Sequence, residues 1–253
     1  MGITEAHRLV INPGVSHKGL SVLQNRLGWY SVPVMGDPLV PAGLDDAYAL
    51  ELLRRQDALQ AEARRVVADL DLVPLLSRAG RVEQVGSSVS GLMVWRDLDF
   101  SVLCRDLTAE RAFEAIRPLL THPRVTEFDY RNQTGHRAPP VIRGDERYYF
   151  STHWETAAGE DWKIDVSFWL SDAPRDYLPY AERLKRQLTD ETRLAILWIK
   201  DVWHRLPTYP DEGGAFDVYE AVLRGGVRTP EQFDAYLRER GLPGRSGVGG
   251  AAG

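Results

Sequence analysis

The stretch VGSSVSGLMVWRDLDFSV, residues 85–102, restricts the fold more than any other part of the chain. A strand pattern ends at Gly86 and Ser87, a short helical segment follows, and a second strand pattern carries Asp97 and Asp99. Residues two apart on a strand share a face and lie roughly 6.5–7 Å apart along it, so these two carboxylates face one site. Two carboxylates this close repel each other unless a cation compensates their charge.

A third acid occurs in the pattern WKIDVSFWL, where Asp165 stands between Ile164 and Val166 in an otherwise apolar strand. Burying an unpaired charge is costly, so an acid at this position requires a reason. If this strand neighbours the one that carries Asp97 and Asp99, the three carboxylates can hold Mg²⁺, which prefers oxygen ligands. The three acids predict a two-metal site, in which ions about 3.5–4 Å apart stabilise the attacking and leaving oxygens.

Gly86 and Ser87 indicate a turn that binds phosphate. Glycine lets the backbone approach a phosphate closely, because it has no side chain. The free N–H groups at the start of the helix that follows favour anions. The hydroxyl of Ser87 adds a further hydrogen-bond donor.

The segment GSSVSGLMVWRDLDF is similar to the glycine-serine, spacer, Asp-x-Asp motif of the nucleotidyltransferase superfamily. That superfamily includes DNA polymerase beta and the kanamycin and lincosamide nucleotidyltransferases. Nine residues, 88–96, separate Ser87 from Asp97, which is within the range that these proteins use. The resemblance covers about residues 81–170, and the helical region after it resembles the C-terminal bundle of the antibiotic-modifying members.

The resemblance implies a role for each matching position. Gly86 and Ser87 would hold the triphosphate of ATP or another NTP, and Asp97 and Asp99 would bind both Mg²⁺ ions. Asp165 would bind the catalytic ion and help to activate the acceptor hydroxyl. The reaction would be an in-line attack on the α-phosphate that transfers a nucleoside monophosphate and releases pyrophosphate, in which positioning and charge neutralisation dominate.

Four further residues have a functional and a structural interpretation. Lys200, in ETRLAILWIKDVWHRL, resembles a helical lysine that contacts phosphates in some superfamily members, and the alternative is a solvated surface lysine. Arg96 is either a phosphate contact or an ordinary surface arginine. His153 is expected to be structural although it could line the pocket. Cys104 is expected to be a small buried apolar residue, since no base adjoins it.

The hydrophobic pattern around the site predicts an α+β fold, with a mixed sheet, flanking helices and a C-terminal helical region. It divides the chain into an irregular N-terminal arm over 1–44 and a catalytic domain over 45–172 that starts with one long helix. A helical region over 173–240 follows. The glycine-rich tail over 241–253 is expected to be disordered, because it has nothing to bury.

The net charge of −5 and the absence of a Lys/Arg stripe disfavour a long nucleic-acid partner. We therefore expect the acceptor to be a hydroxyl of a small molecule, such as an antibiotic or a biosynthetic intermediate. The alternatives are a protein or RNA acceptor, activation of a carboxylate by adenylylation, and a nucleotide-binding module without turnover.

Other features bear on location and assembly. The single cysteine excludes an intrachain disulfide, no apolar run is long enough to span a membrane, and the N-terminus lacks the pattern of a signal peptide. These features predict a cytoplasmic protein without a membrane partner. The aromatic residues Trp29 and Tyr30 in the arm are compatible with a homodimer contact.

Overall fold

The N-terminal arm contains a β-hairpin. The computed structural model describes residues 40–142, 145–206, 209 and 214–245, and the backbone of 21–25 and 28–32. Strands β1 (Ser21–Asn25) and β2 (Gly28–Val32) pair antiparallel, so this part of the arm is regular and not irregular as the proline and glycine content predicted. The rest of the predicted arm up to residue 39 lies outside the described residues, and so do the aromatic side chains on which the homodimer contact was based.

A five-stranded mixed sheet forms the centre of the fold, with the order β3-β4-β7-β6-β5. Only β4 and β7 run parallel, and the other neighbours are antiparallel. The strands are β3 (Arg81–Val85), β4 (Asp97–Leu103), β5 (Val125–Gln133), β6 (Arg147–Glu155) and β7 (Asp161–Trp169). The order matters for the site, because β3 and β6 lie on opposite sides of the central β4–β7 pair.

The helices begin where the sequence places capping residues. Asp45, Thr108, Thr189 and Thr229 each accept a hydrogen bond from a backbone N–H in the first turn of the helix that follows. The helices are α1 (Asp46–Asp69), α2 (Leu72–Leu76), α3 (Ser87–Ser90), α4 (Ala109–Leu120), α5 (Tyr177–Gln187), α6 (Asp190–Trp203), α7 (Ala215–Leu223) and α8 (Pro230–Glu239).

The first helical segment is interrupted at Asp71, where a single helix was predicted. Asp71 adopts a left-handed backbone conformation with φ 51°, which ends α1 and lets α2 start in a new direction. Aspartate tolerates this conformation better than most residues because its short side chain can hydrogen-bond locally. The apolar periodicity continues across the break, so the pattern alone predicted one helix.

The two faces of the sheet differ in polarity. Alternate residues of the central strands, such as Leu98, Phe100 and Ile164, are buried in a core with α2, α4 and the second half of α1. A second core joins the first half of α1 to α6, α7 and α8. Helix α1 therefore contributes to both cores, and it holds the helical region against the sheet. The predicted boundary at residue 172 remains a prediction.

The first part of the predicted disordered tail is ordered. The backbone N–H of Arg245 donates to Asp234 Oδ1 at 2.6 Å, and the guanidinium of Arg245 lies 5.2 Å from the centre of the Trp203 ring. Residues 246–253 lie outside the described residues. Among the helices that the structure describes, none is long and apolar enough to cross a membrane. The cytoplasmic location remains a prediction.

Candidate active site

The register of β4 on β7 brings the three predicted acids together. Asp97 pairs with Lys163 and Asp99 pairs with Asp165, so all four side chains lie on the same face of the sheet. One carboxylate oxygen from each of Asp97, Asp99 and Asp165 lies within 4.8 Å of the others. A strand spacing of about 4.7–4.9 Å makes this proximity possible, although Asp165 is 66 residues beyond Asp99 in the sequence (165 − 99).

The carboxylate cluster has the properties expected of a cation site. Burial raises the pKa of Asp97 to about 6, with Lys163 opposing the shift and Asp165 adding to it. Burial and the charges of Asp97 and Asp165 raise the pKa of Asp99 well above its ordinary value. Asp97 Oδ1 is buried without a hydrogen-bond partner among the described residues. A cluster of oxygen donors with an unsatisfied buried oxygen fits Mg²⁺.

Lys163 belongs to this cluster, and the sequence analysis did not identify it. Its ammonium Nζ lies 2.6 Å from Asp165 Oδ2 and 3.7 Å from Asp97 Oδ1. Burial lowers the pKa of Lys163, but the two carboxylates outweigh burial, and the net shift is upward. The available signal was the i, i+2 spacing of Lys163 and Asp165 on one strand face, which becomes informative only once the strand partner is known.

Asp165 is held in place from strand β6. The Tyr149 hydroxyl donates to Asp165 Oδ2 at 2.6 Å, and the Ser151 hydroxyl donates to Asp165 Oδ1 at 2.8 Å. Burial raises the pKa of Tyr149, and the neighbouring Asp165 carboxylate adds to this shift. The tyrosine therefore stays protonated and donates its hydrogen bond, which fixes the orientation of the carboxylate.

Gly86 is required for the close contact between the turn and Asp99. Its backbone has φ 74° and ψ −154°, a conformation that residues with a side chain rarely adopt. A Cβ atom at this position would overlap Asp99 Oδ2 and lie 3.0 Å from Asp99 Cγ. Helix α3, which follows, has only four residues. The turn and the acids thus form one unit, in which the glycine makes room for a carboxylate.

Lys200 connects the helical region to this turn. The side chain is fully buried, so the alternative of a surface lysine is wrong. Its Nζ donates to Ser87 Oγ and to the backbone oxygen of Leu92, both at 2.7 Å. Burial lowers the pKa of Lys200 to about 8, although the charges of Asp97 and Asp99 oppose this shift. Lys200 does not line the cavity described below, so its contact with the site runs through Ser87.

A cavity of about 890 Å³ lies over the polar face of the sheet. The sheet contributes the three acids and the Gly86–Ser87 turn, and the helical region contributes aromatic side chains. Four of these aromatic residues come from α5 and α7: Tyr177, Tyr180, Phe216 and Tyr219. The volume is near the upper end of the roughly 300–1,000 Å³ that is typical of small-molecule sites.

The remaining candidates from the sequence have structural partners. Arg96 forms ion pairs with Glu62 at 3.0 Å and Glu160 at 2.7 Å. His153 Nδ1 lies 2.7 Å from an oxygen of Asp161. Burial raises the pKa of the Cys104 thiol to about 12, which excludes a reactive thiolate near neutral pH. None of the three predicted candidates, Arg96, His153 and Cys104, lines the cavity.

No protein-family model matches the chain, and no curated protein matches it either. The structure of Cid1 in complex with its short product ApU is similar at 16% identity and a TM-score of 0.50, and the match covers 70% of this chain and 52% of Cid1. A cytoplasmic RNA terminal U-transferase matches at 17% identity and a TM-score of 0.43, over 70% of this chain and 51% of that one. CdnC of E. coli MS115-1 with ATP matches at 11% identity and a TM-score of 0.35, over 78% and 67% of the two chains.

The chain shares the fold of Cid1, and the mixed sheet with its flanking helices confirms the predicted α+β class. The present chain spans about half the length of Cid1 and of the U-transferase.

The comparison contradicts the predicted small-molecule acceptor and the prediction that a long nucleic-acid partner is unlikely, since the Cid1 structure contains the short product ApU. The physical reason for the error is that net charge describes the whole chain, whereas the site depends on local charge. Arg131 and Arg147 both line the cavity, although no basic stripe is visible in the sequence.

Proposed function

We propose that the protein is a metal-dependent nucleotidyltransferase that transfers a nucleoside monophosphate from an NTP to the 3′-hydroxyl of a ribonucleotide acceptor. The observation that carries this proposal is the meeting of three carboxylates, within 4.8 Å of one another, beside the Gly86–Ser87 turn. Such a cluster is costly to bury without a cation, and an adjoining glycine turn is suited to a phosphate.

The donor triphosphate would lie against the turn. Gly86 allows close approach of the backbone, and Ser87 offers its hydroxyl. Lys200 holds the Ser87 side chain from behind and places a positive charge close to the phosphates without being exposed to solvent. Lys200 is thus a positioning residue in this proposal, whereas the superfamily resemblance implied a direct phosphate contact.

Asp97, Asp99 and Asp165 would hold Mg²⁺, two ions in our proposal, and bound Mg²⁺ would neutralise the charge on the attacking and leaving oxygens. In the reaction, a bond forms between the acceptor oxygen and the α-phosphorus, and the bond from the α-phosphorus to the pyrophosphate oxygen breaks. Asp165 accepts the hydroxyl proton. The hydrogen bonds from Tyr149 and Ser151 keep its carboxylate oriented toward the acceptor side of the cluster.

Two observations support a ribonucleotide acceptor. The fold is shared with Cid1, whose structure holds the product ApU. The cavity wall next to Asp165 also carries arginine side chains, which would attract a phosphodiester and repel a cationic antibiotic.

A transfer assay tests this function. The full chain is incubated with Mg²⁺, each of the four NTPs labelled at the α-phosphate, and a short oligoadenylate that ends in either a 3′-hydroxyl or a 3′-deoxy nucleotide. We expect one labelled nucleotide to be added to the 3′-hydroxyl oligonucleotide alone. Asp99→Asn and Asp165→Asn should abolish transfer, whereas Asp172→Asn, which removes an acid from an exposed loop, should retain it.

Three outcomes would contradict the proposal in different ways. Full activity of Asp99→Asn or Asp165→Asn would overturn the role given to that residue. Release of pyrophosphate without labelled RNA would overturn the ribonucleotide acceptor and leave the donor chemistry. Binding of an NTP with Mg²⁺ but without transfer to RNA or release of pyrophosphate would indicate a nucleotide-binding module.

A further inference from the structure

The polar face of the sheet continues beyond the acid cluster onto β6 and β5. Ser151 pairs with Asp165, and Tyr149 and Arg147 follow at alternate positions of β6, so all of them share the face of the acids. Arg131 of β5 pairs with Tyr149 and lies on the same face. The strand order places this group, Arg131, Arg147 and Tyr149, on the side of the acids away from β3 and the Gly86 turn. We call it the arginine face.

Arg147 is fixed in position and still has donor capacity. Its Nε donates to Gln133 Oε1 at 2.5 Å and its Nη1 donates to Ser167 Oγ at 2.9 Å. Its Nη2 makes no hydrogen bond to any group in the described part of the chain. The guanidinium carbon lies 4.9 Å from the centre of the Tyr149 ring and 5.0 Å from that of the Trp169 ring. This arrangement immobilises a guanidinium before any ligand arrives, which lowers the entropy cost of binding.

Two other arginines lie close to the same aromatic rings. The guanidinium of Arg131 lies 5.8 Å from the centre of the Tyr149 ring. Arg175, whose side chain is only 10% exposed, lies 4.0 Å from the centre of the Trp169 ring. Its Nε and Nη2 are buried without a hydrogen-bond partner among the described residues. Asp129 pairs with Arg131 and Asp145 pairs with Arg175, whereas Arg147 has no carboxylate within ion-pair distance in the described part of the chain.

An in-line reaction requires the acceptor to enter opposite the leaving pyrophosphate. With the triphosphate at the Gly86–Ser87 turn on the β3 side, the acceptor enters from the β6 side, over Tyr149 and Asp165. We propose that the arginine face binds a backbone phosphodiester of the acceptor strand, with Arg147 as its main contact. This inference rests on the proposed function and specifies how that site recognises its acceptor.

The position of Arg147 identifies which phosphodiester it would contact. Arg147 lies four positions along β6 from Ser151, the residue that pairs with Asp165, which is roughly 13 Å. The Arg147 side chain extends toward the acids, since its Nη1 donates to Ser167 Oγ and its guanidinium lies 4.9 Å from the centre of the Tyr149 ring. An RNA acceptor whose 3′-hydroxyl lies at Asp165 therefore places one of its last two phosphodiester linkages at the Arg147 guanidinium. A phosphodiester suits the site, because a guanidinium forms strong charge-assisted hydrogen bonds with phosphate oxygens.

The experiment measures binding of a fluorescent oligoadenylate with a 3′-deoxy end, which cannot react, to the full chain. In a series of probes, each of the last three linkages in turn carries a neutral methylphosphonate. We expect one of the last two replacements to weaken wild-type binding about tenfold or more, as for loss of a charge-assisted hydrogen bond. Arg147→Gln should weaken binding of the unmodified probe by a similar factor and reduce its salt dependence.

Non-additivity identifies the contact. If Arg147 binds that linkage, Arg147→Gln and the methylphosphonate remove the same interaction, so their combined effect equals either one alone. Arg117→Gln is the matched control, because it removes an exposed arginine from α4, which packs on the opposite face of the sheet. Arg117→Gln should bind every probe as wild type does.

The proposal is overturned if neither of the last two linkages matters to wild type, a result that requires no variant to fold. It is also overturned if the losses of affinity caused by Arg147→Gln and by the methylphosphonate multiply when the two are combined. A loss of affinity in Arg117→Gln as large as that in Arg147→Gln would overturn it as well. These failures differ from failure of the proposed function. Transfer to RNA without sensitivity at either linkage would remove the arginine face and leave the enzyme, whereas absence of any transfer would remove the enzyme itself.

Discussion

Replacement of Lys163 by methionine should change how the protein responds to Mg²⁺. The Lys163 ammonium lies 2.6 Å from an oxygen of Asp165 and 3.7 Å from an oxygen of Asp97. In our proposal both carboxylates would hold Mg²⁺, and a bound ion would then compete with the ammonium for the same oxygens. Lysine therefore stabilises the cluster when metal is withheld, and it competes with metal when metal is added.

The size of the effect follows from the geometry and the exposure. Removing one partner of a buried ion pair costs about 3–5 kcal/mol. Since 36% of the Lys163 side chain is exposed, solvent screening reduces this to about 2 kcal/mol. A free-energy change of one kcal/mol shifts the Tm of a domain of this size by about 2–4 °C. We expect Lys163→Met to melt about 4–8 °C below wild type in the presence of a chelator.

Addition of Mg²⁺ should reverse this difference. The ion supplies the positive charge that the variant lacks, so the gap in Tm should close at saturating Mg²⁺. By the same thermodynamic cycle, about 2 kcal/mol corresponds to roughly 30-fold tighter Mg²⁺ binding by the variant than by wild type. Scanning fluorimetry over a Mg²⁺ series measures both quantities, with the exposed Lys185→Met as the control. An unchanged gap, or weaker Mg²⁺ binding by Lys163→Met, would refute competition between the lysine and the metal.

Three further predictions follow from the same geometry. Gly86→Ala should destabilise the fold by about 2–6 kcal/mol, because the backbone would be strained and the new Cβ would overlap Asp99. The control Gly159→Ala is also at positive φ but has open space around it, and it should cost only about 1 kcal/mol. Equal losses of unfolding free energy in chemical denaturation would show that overlap with Asp99 contributes nothing. Lys200→Met should lower the Tm, because the Leu92 oxygen and the Ser87 hydroxyl lose their hydrogen bonds from the ammonium, and it should weaken NTP binding of the folded variant about tenfold or more in calorimetry. Wild-type NTP affinity would contradict its positioning role. In the absence of metal, the raised pKa of Asp97, about 6, stabilises the folded state at low pH. This stabilisation is lost as the pH rises from the ordinary pKa of an aspartate to above 6. Mg²⁺ needs the ionised carboxylate, so saturating Mg²⁺ should raise the Tm more at about pH 8 than at about pH 5, and equal shifts would place the metal elsewhere.

The acid cluster could be predicted from the sequence because its signals are local. Asp97 and Asp99 share a strand face by their spacing, and Asp165 is conspicuous as an acid in an apolar strand. Their assembly needed only one inference, that the two strands are neighbours, and the register confirms it. The roles assigned to Gly86 and Ser87 remain predictions, although the structure adds a steric reason for the glycine.

The arginine face could not be predicted because it depends on strand pairing over long sequence distances. Arg131 and Arg147 are 16 residues apart (147 − 131) and become neighbours only through the register of β5 on β6. The sequence has no Lys/Arg stripe, but this did not justify the prediction of a small-molecule acceptor, because the arginines meet only in the folded chain. The burial of Lys200 was missed for a similar reason, since helical periodicity alone does not show which elements cover a polar residue on a helix.

The measurement that tests the central claim most directly is calorimetric binding of the four NTPs, with and without Mg²⁺, to wild type and to Asp97→Asn. If the carboxylates and the Gly86–Ser87 turn form one metal–triphosphate site, at least one NTP binds in a Mg²⁺-dependent manner and the variant loses that binding while it stays folded. Binding that is equal without Mg²⁺, or equal in Asp97→Asn, would contradict a site built on these acids.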